Sequence, residues 1–250
     1  MFFERVSHRP LFLNVAFLIF PLLLATSFGL HAKVFLDEKT LVYHGGISKE
    51  NNENAFELFK QAEVKPTTLA ITSGGGNVDL GMDLGEFVLE HSLDVKVSTF
   101  CFSSCANYVF TAGKNKWLGE KAVLGWHGDA ASAYWRDSDI DAMVRHLEGE
   151  EKSKKWQELR QHYDDITQRS VAREKRFFER ISTDHALLTI GLSKDLIKAA
   201  VEQKARGWTA TPALLEKMGV NNIKFISSPW QPGNNPRFPL LILQYRNVKI

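Results

Sequence analysis

Apolar residues recur along the chain at two kinds of spacing that alternate from segment to segment. Continuous or alternating apolar runs, typical of β-strands, occur at four places: residues 33–45, 68–72, 95–100 and 122–126. Apolar residues at helical spacing predict three helices, which cover residues 48–62, 78–91 and 106–112. Because strands alternate with helices, the sequence predicts a layered domain of the α/β class.

The pattern changes between residues 137 and 182. This stretch is dense in Glu, Lys and Arg, lacks proline, and has Gly149 as its single glycine. Its apolar residues predict one or two long amphipathic helices, an insertion that projects from the core or serves as an assembly surface. Further helices and strands are predicted after it: a helix over 193–204, a strand around Trp208, a short helix over 211–219 and a strand over 240–245.

The composition is that of a globular chain, since 44% of the 250 residues are hydrophobic and 24% are charged. The 31 basic and 29 acidic residues leave a net charge of +2, so no global field attracts nucleic acid. Two cysteines exclude both a disulfide-framework scaffold and a four-cysteine zinc site. We expect no nucleic-acid partner, but composition does not identify the function.

The N-terminus has the pattern of an export signal. Arg5 and Arg9 precede an apolar run over residues 11–24, and small residues follow it. This predicts a secretory signal peptide over residues 1–32 and a single mature domain over 33–250. An uncleaved membrane anchor over residues 11–30 is the alternative, because that stretch is just long enough to span a bilayer. In a bacterium the mature protein would be periplasmic or secreted.

Cys101 and Cys105 form a C-x3-C pair. In an oxidising compartment such a pair can close a small disulfide ring, whereas in the cytosol it would indicate buried thiols or a redox motif. Because the N-terminus predicts export, we expect a disulfide. Two cysteines alone make a poor metal site, and we expect no metal.

Three short segments contain candidate catalytic groups. The glycine run after the strand 68–72 could cradle a phosphate or present an N–H group to an oxyanion. Ser103 and Ser104 lie between a strand and an apolar helix, where one of them, Ser103, can serve as the helix N-cap. That leaves Ser104 without an evident structural role. His127 follows a strand and is a candidate general base.

Taken together, the spacing of these segments resembles the Clp protease proteolytic subunit and its relatives in the ClpP/crotonase superfamily. In that family a strand leads through Ser-Pro-Gly-Gly into a helix, and residues 71–76 take that place here. The family then has a catalytic serine eight residues before an Ala-Gly pair, which matches Ser104 and Ala112. A basic segment, a strand and the catalytic histidine follow in the family, and His127 takes the last position.

The resemblance implies a β-β-α spiral and a serine hydrolase. By residue-to-residue match, Ser104 would be the nucleophile, His127 its base, and the backbone N–H groups of Gly75 and Cys105 the oxyanion hole. It also implies a homo-oligomer and a peptide or protein substrate, without a cofactor. The protein would then be an exported peptidase, with possible membrane association through the N-terminus.

The chain departs from the family at the acid that forms the third member of the catalytic triad. The family's aspartate falls near Ala200, which cannot orient a histidine. Glu202 is the nearest acid, and Asp195 and Asp184 are more distant options. A catalytic dyad therefore stays open, as does a non-catalytic binding or scaffold protein on the same fold.

Two further mechanisms rank lower. A serine–lysine pair, as in signal peptide peptidase relatives, would need Lys114 or Lys116, which precede the strand that ends at His127. Crotonase-type acyl-CoA chemistry would leave Ser104 and His127 unused, and an exported chain would not meet CoA.

Overall fold

The computed structural model describes residues 33–232 and 235–245. The predicted signal peptide or anchor lies outside these residues. The strands are β1 Lys33–Asp37, β2 Thr40–His44, β3 Thr68–Thr72, β4 Asp94–Val97, β5 Phe100–Phe102, β6 Lys116–Leu118, β7 Val123–Gly125, β8 Trp208–Ala210, β9 Ile223–Phe225 and β10 Leu241–Leu243. The α-helices are α1 Lys49–Gln61, α2 Val78–Glu90, α3 Asp137–Met143, α4 Gly149–Ile181, α5 Lys194–Glu202 and α6 Pro212–Lys217. A π-helix spans Cys105–Phe110.

A six-stranded sheet in the order β1-β2-β3-β4-β6-β9 forms the main layer. Its strands are parallel except for β1, which forms a hairpin with β2. Two small parallel pairs, β5 with β7 and β8 with β10, lie beside it. They are joined by an isolated bridge between Trp126 and Trp208. The α/β class predicted from the sequence is confirmed.

Most predicted elements appear within a few residues of their predicted bounds, but two predicted strands are each divided in two. Residues 33–45 form the hairpin of β1 and β2, with Glu38 in its turn at a φ of 50°. Within the apolar run at 95–100, β4 ends at Val97 and β5 begins at Phe100. This break matters for the site, because β5 leaves the main sheet and pairs with β7.

Two strands of the main sheet were missed by the sequence analysis. β6 and β9 are only three residues long, and their sequences, KWL and IKF, each have a lysine beside the apolar residues. Such short mixed runs give no periodic signal. Pairing with a neighbouring strand, rather than local propensity, makes them strands.

The predicted insertion forms α3 and the 33-residue helix α4, which is about 50 Å long at 1.5 Å per residue. The buried residues of α4 are confined to its second half: Ser170, Glu174, Phe177 and Phe178. Its first half is exposed or half-buried, whereas its second half packs against α2. The insertion therefore contributes directly to the core that surrounds the candidate site.

Two glycines in α2 allow the π-helix to approach closely. A Cβ at Gly81 would lie 2.7 Å from the Cβ of Ser104, and one at Gly85 would lie 2.7 Å from the Tyr108 carbonyl oxygen. The π-helix is fully buried, so α2 sets its position from one side. Among the described residues, no helix has the length and apolar character needed to span a bilayer.

Candidate active site

The turn between β5 and the π-helix has a strained backbone at Ser103. Ser103 has a φ of 59°, in the left-handed region that residues other than glycine rarely adopt. Its N–H donates to the Gly125 carbonyl at 3.1 Å, and its own carbonyl accepts from the Asn107 N–H at 2.8 Å. A serine on a strained strand-to-helix turn is the arrangement that exposes the nucleophile in α/β hydrolases. From the sequence, Ser103 is predicted only as the N-cap of the following helix.

A disulfide closes this turn. Cys101 in β5 and Cys105 at the start of the π-helix are bonded, with their Cα atoms 5.3 Å apart. Both cysteines are fully buried. The predicted disulfide is confirmed, and the five-residue ring that it closes holds Ser103 at its centre.

The Ser103 hydroxyl oxygen lies 2.8 Å from Nε2 of His127. The two residues meet because β5 and β7 are parallel partners, with Phe102 opposite Gly125, so both strands end at the same edge. Ser103 is half-buried and His127 is exposed, so both are open to a substrate. The pair has the distance expected between a nucleophile and its general base.

Phe102 covers one face of the His127 ring. The two rings are stacked, with centroids 5.0 Å apart and planes 9° apart. This partial burial lowers the pKa of His127 below its ordinary value of 6.5. His127 is therefore neutral at pH 7, the state in which Nε2 can accept the proton of a serine hydroxyl.

Ser104 does not take the predicted position beside His127. Its hydroxyl donates to the Gly76 carbonyl at 2.8 Å, and the residue is only 2% exposed. Because Ser103 is in the left-handed conformation, the two adjacent serine side chains point to different neighbours. Ser104 thus links the π-helix to the glycine turn, and the predicted Ser104–His127 pair is replaced by Ser103–His127.

The predicted oxyanion hole is also altered. Gly75, at a φ of 90°, lies against the turn, since a Cβ there would be 2.7 Å from the Cβ of Ser103. However, its N–H donates to the Ser73 hydroxyl at 3.1 Å. With Ser103 as the reactive serine, the next N–H along the chain belongs to Ser104 rather than to Cys105. Both amides lie at the start of the π-helix, where N–H groups have no acceptor within the helix.

The structure places the candidate third acids away from His127. Glu202 lies exposed at the end of α5. Asp184 accepts from the Ala186 N–H, and Asp195 lies in the first turn of α5. Within the described ranges, no carboxylate forms a hydrogen bond or ion pair with His127. The arrangement is therefore a serine–histidine dyad.

The lysines of the serine–lysine alternative also lie elsewhere. Lys116 is 6% exposed and donates to the carbonyls of Gly113 and Asn221. Burial lowers its pKa to about 8. It joins the segment before β6 to the segment before β9.

A buried carboxylate that the sequence did not single out contacts the segments that follow Ser103 and His127. Glu174 of α4 is fully buried and accepts from the Tyr108 hydroxyl at 2.6 Å and from the Ala130 N–H at 3.1 and 3.2 Å. Nε2 of His185 lies 2.8 Å from it. The proximity of Glu174 raises the pKa of His185, which favours the charged imidazolium.

Glu174 and His185 also form, with Asp129, the one group of potential metal ligands found within residues 33–232 and 235–245. The ligand atoms lie within 4.8 Å of one another. Both Glu174 oxygens already accept hydrogen bonds from protein donors. In this cluster a hydrogen-bond contact joins Glu174 and His185, whereas Asp129 accepts from Ser132.

Comparison with known proteins finds likeness in structure only. No protein-family model matches the chain, and no curated protein matches its sequence. The similar solved structures include ClpP1 from Listeria monocytogenes and its N165D mutant, each with a TM-score of 0.39 and 16% identity. Each match covers 76% of this chain and 92% of the ClpP1 chain.

Proposed function

We propose that the protein is an exported serine hydrolase, with peptides as its substrate class, in which Ser103 is the nucleophile and His127 its general base. The observation that carries the proposal is the 2.8 Å contact between the Ser103 hydroxyl and Nε2 of His127, made by a serine with a φ of 59°.

The geometry supports acyl transfer in two steps. The Ser103 oxygen attacks the acyl carbon while Nε2 of His127 accepts the hydroxyl proton, and His127 then returns that proton to the leaving group. Water, deprotonated by His127, hydrolyses the acyl-enzyme and restores the Ser103 hydroxyl. The Ser104 N–H, at the positive end of the π-helix, is the donor best placed to stabilise the oxyanion. One such donor contributes about 3 to 4 kcal/mol to transition-state stabilisation.

Two observations support export. The Cys101–Cys105 disulfide is of a kind that persists in oxidising compartments. The sequence over residues 1–32 has the pattern of a secretory signal. Periplasmic or secreted localisation and a homo-oligomeric state are further parts of the proposal.

A non-catalytic binding or scaffold protein is the second candidate. The observation in its favour is that His127 has no carboxylate partner among the described residues, because a triad acid normally holds the imidazole in the reactive tautomer. The rate of reaction with an active-site probe separates the two candidates.

The experiment is covalent labelling of the purified mature protein with a fluorophosphonate, followed by peptide mass spectrometry. A hydrolase gives a stoichiometric adduct on Ser103, and His127→Ala slows its formation by at least a hundredfold, since general-base catalysis contributes about 10²–10⁴-fold. Labelling of wild type no faster than that of His127→Ala would contradict the proposal and favour the scaffold.

The labelling rate is also expected to depend on pH through His127. Protonated His127 cannot accept the serine proton, and burial lowers its pKa below 6.5. The rate should be constant near pH 7 and fall at lower pH, with its half-maximal value at a pH below 6.5. Rates measured between pH 4.5 and 8 check this, and a midpoint above 6.5 would show that another group controls the reaction.

A further inference from the structure

We propose that Glu174 is a positioning residue that fixes the segment after His127 against the helix after Ser103. The inference rests on the proposed function, because its purpose is to hold the Ser103–His127 dyad in register. Glu174 touches neither of these side chains, and it acts through the backbone and through Tyr108.

Glu174 contacts one residue in the segment that follows each member of the dyad. Ala130 lies three residues after His127, and its N–H donates to both carboxylate oxygens. Tyr108 lies in the π-helix five residues after Ser103, and its hydroxyl donates to the same carboxylate. One fully buried carboxylate therefore joins the two segments that follow the two reacting residues.

A second, shorter link runs in parallel. The side-chain amide of Asn107 donates to the Gly128 carbonyl at 3.0 Å. Gly128 directly follows His127. The π-helix therefore contacts this segment directly at Gly128 and, through Glu174, at Ala130. A buried carboxylate has to be compensated by donors or by charge, and removing its partners is strongly destabilising. This makes the position of the segment well determined.

His185 supplies the compensating charge. Its Nε2 lies 2.8 Å from a Glu174 oxygen, and the charged groups that face its ring are Glu174, Asp129 and Asp184. All three are acidic, and together they raise the pKa of His185. Glu174 thus accepts from the Ala130 N–H and the Tyr108 hydroxyl on one carboxylate that also contacts His185.

The fold explains why the acid comes from α4. The second half of α4 packs against α2, and α2 in turn contacts the π-helix. An acid on this helix therefore contacts the segments that follow Ser103 and His127. Glu174 is therefore an acid of the site that lies outside the position where the family resemblance predicts one.

The test compares Glu174→Gln with wild type in fluorophosphonate labelling and in the NMR titration of the His127 ring. Glutamine keeps the size but loses the charge and replaces one acceptor oxygen with a donor, so the Ala130 segment should loosen. We expect labelling to slow on the order of tenfold, because small misplacements of catalytic groups have effects of this size. We also expect the His127 pKa to rise toward 6.5 as its ring leaves Phe102, and the acid midpoint of labelling to rise with it.

A variant that merely loses stability would not move that midpoint. Glu86→Gln is the matched control, since Glu86 also accepts from an α4 residue, Arg173 at 2.8 Å, but belongs to α2 and is not part of the cluster. It should keep the wild-type rate and midpoint. If Glu174→Gln does not fold, Tyr108→Phe takes its place in the test, because it removes only the link to the π-helix. We expect it to slow labelling and to raise the acid midpoint of labelling, as Glu174→Gln should.

The outcomes separate the two proposals. A wild type that does not label, but whose His127 pKa rises in Glu174→Gln, would refute the hydrolase and keep the positioning role. The positioning role would be overturned if folded Glu174→Gln kept the wild-type labelling rate, the wild-type acid midpoint and the wild-type His127 pKa. If Glu174→Gln does not fold, the same result in Tyr108→Phe would overturn it.

Discussion

Replacing Ser103 with alanine is expected to abolish fluorophosphonate labelling, whereas replacing Ser104 with alanine leaves a protein that still labels. Only the Ser103 hydroxyl contacts Nε2 of His127, while the Ser104 hydroxyl is buried against the Gly76 carbonyl. Loss of a catalytic serine costs on the order of 10⁶-fold in related enzymes, so the Ser103→Ala signal should fall below detection. Loss of the Ser104 hydrogen bond costs about 1 kcal/mol of stability.

These two variants form a matched pair, because each removes one hydroxyl from adjacent positions. Thermal unfolding should place Ser104→Ala below wild type and Ser103→Ala close to it or above it. The opposite labelling result, an inert Ser104→Ala beside a reactive Ser103→Ala, would restore the nucleophile that the family resemblance implies.

Removing the disulfide is expected to slow labelling by about 5- to 30-fold. The left-handed conformation costs about 1–2 kcal/mol in a residue other than glycine, and a factor of ten corresponds to 1.4 kcal/mol. Without the Cys101–Cys105 bond, the turn can relax to an ordinary φ, and Ser103 then spends most of its time away from His127. The double variant Cys101→Ala/Cys105→Ala should also lose about 2 kcal/mol of unfolding free energy, the value expected for so short a ring.

Wild type treated with a reductant under mildly destabilising conditions should show the same slowing, and reoxidation should restore the rate. The reductant should have no effect on the double variant, which serves as the control for non-specific damage. An unchanged labelling rate in the folded double variant would mean that the turn keeps its shape without the bond.

Much of the architecture could be predicted because it follows from local patterning. The apolar spacing in α1 and α2 sets their bounds, and Ser48 caps α1 by accepting from the Asn51 N–H. The Cys101–Cys105 disulfide followed from spacing together with the export signal. By contrast, β6 and β9 are strands only because neighbouring strands pair with them.

The serine that contacts His127 is the neighbour of Ser104, the serine that the family resemblance implies. The interval from Ser104 to Ala112 matched the family, but a left-handed residue before a π-helix changes which side chain faces His127. Neither feature has a signature in a serine-serine sequence. Glu174 could not be found either, because its role depends on how α4 docks, and its sequence neighbours make it one charge among many.

The left-handed Ser103 also sets the proposed function and folding stability in opposition. The geometry that aims the hydroxyl at His127 is one that glycine adopts without penalty, and glycine cannot perform the reaction. Ser103→Gly should therefore exceed the equally inert Ser103→Ala in unfolding free energy by about 1 kcal/mol, as measured by denaturant titration. Under the proposed function, serine at this position therefore exchanges some folding stability for a reactive hydroxyl group.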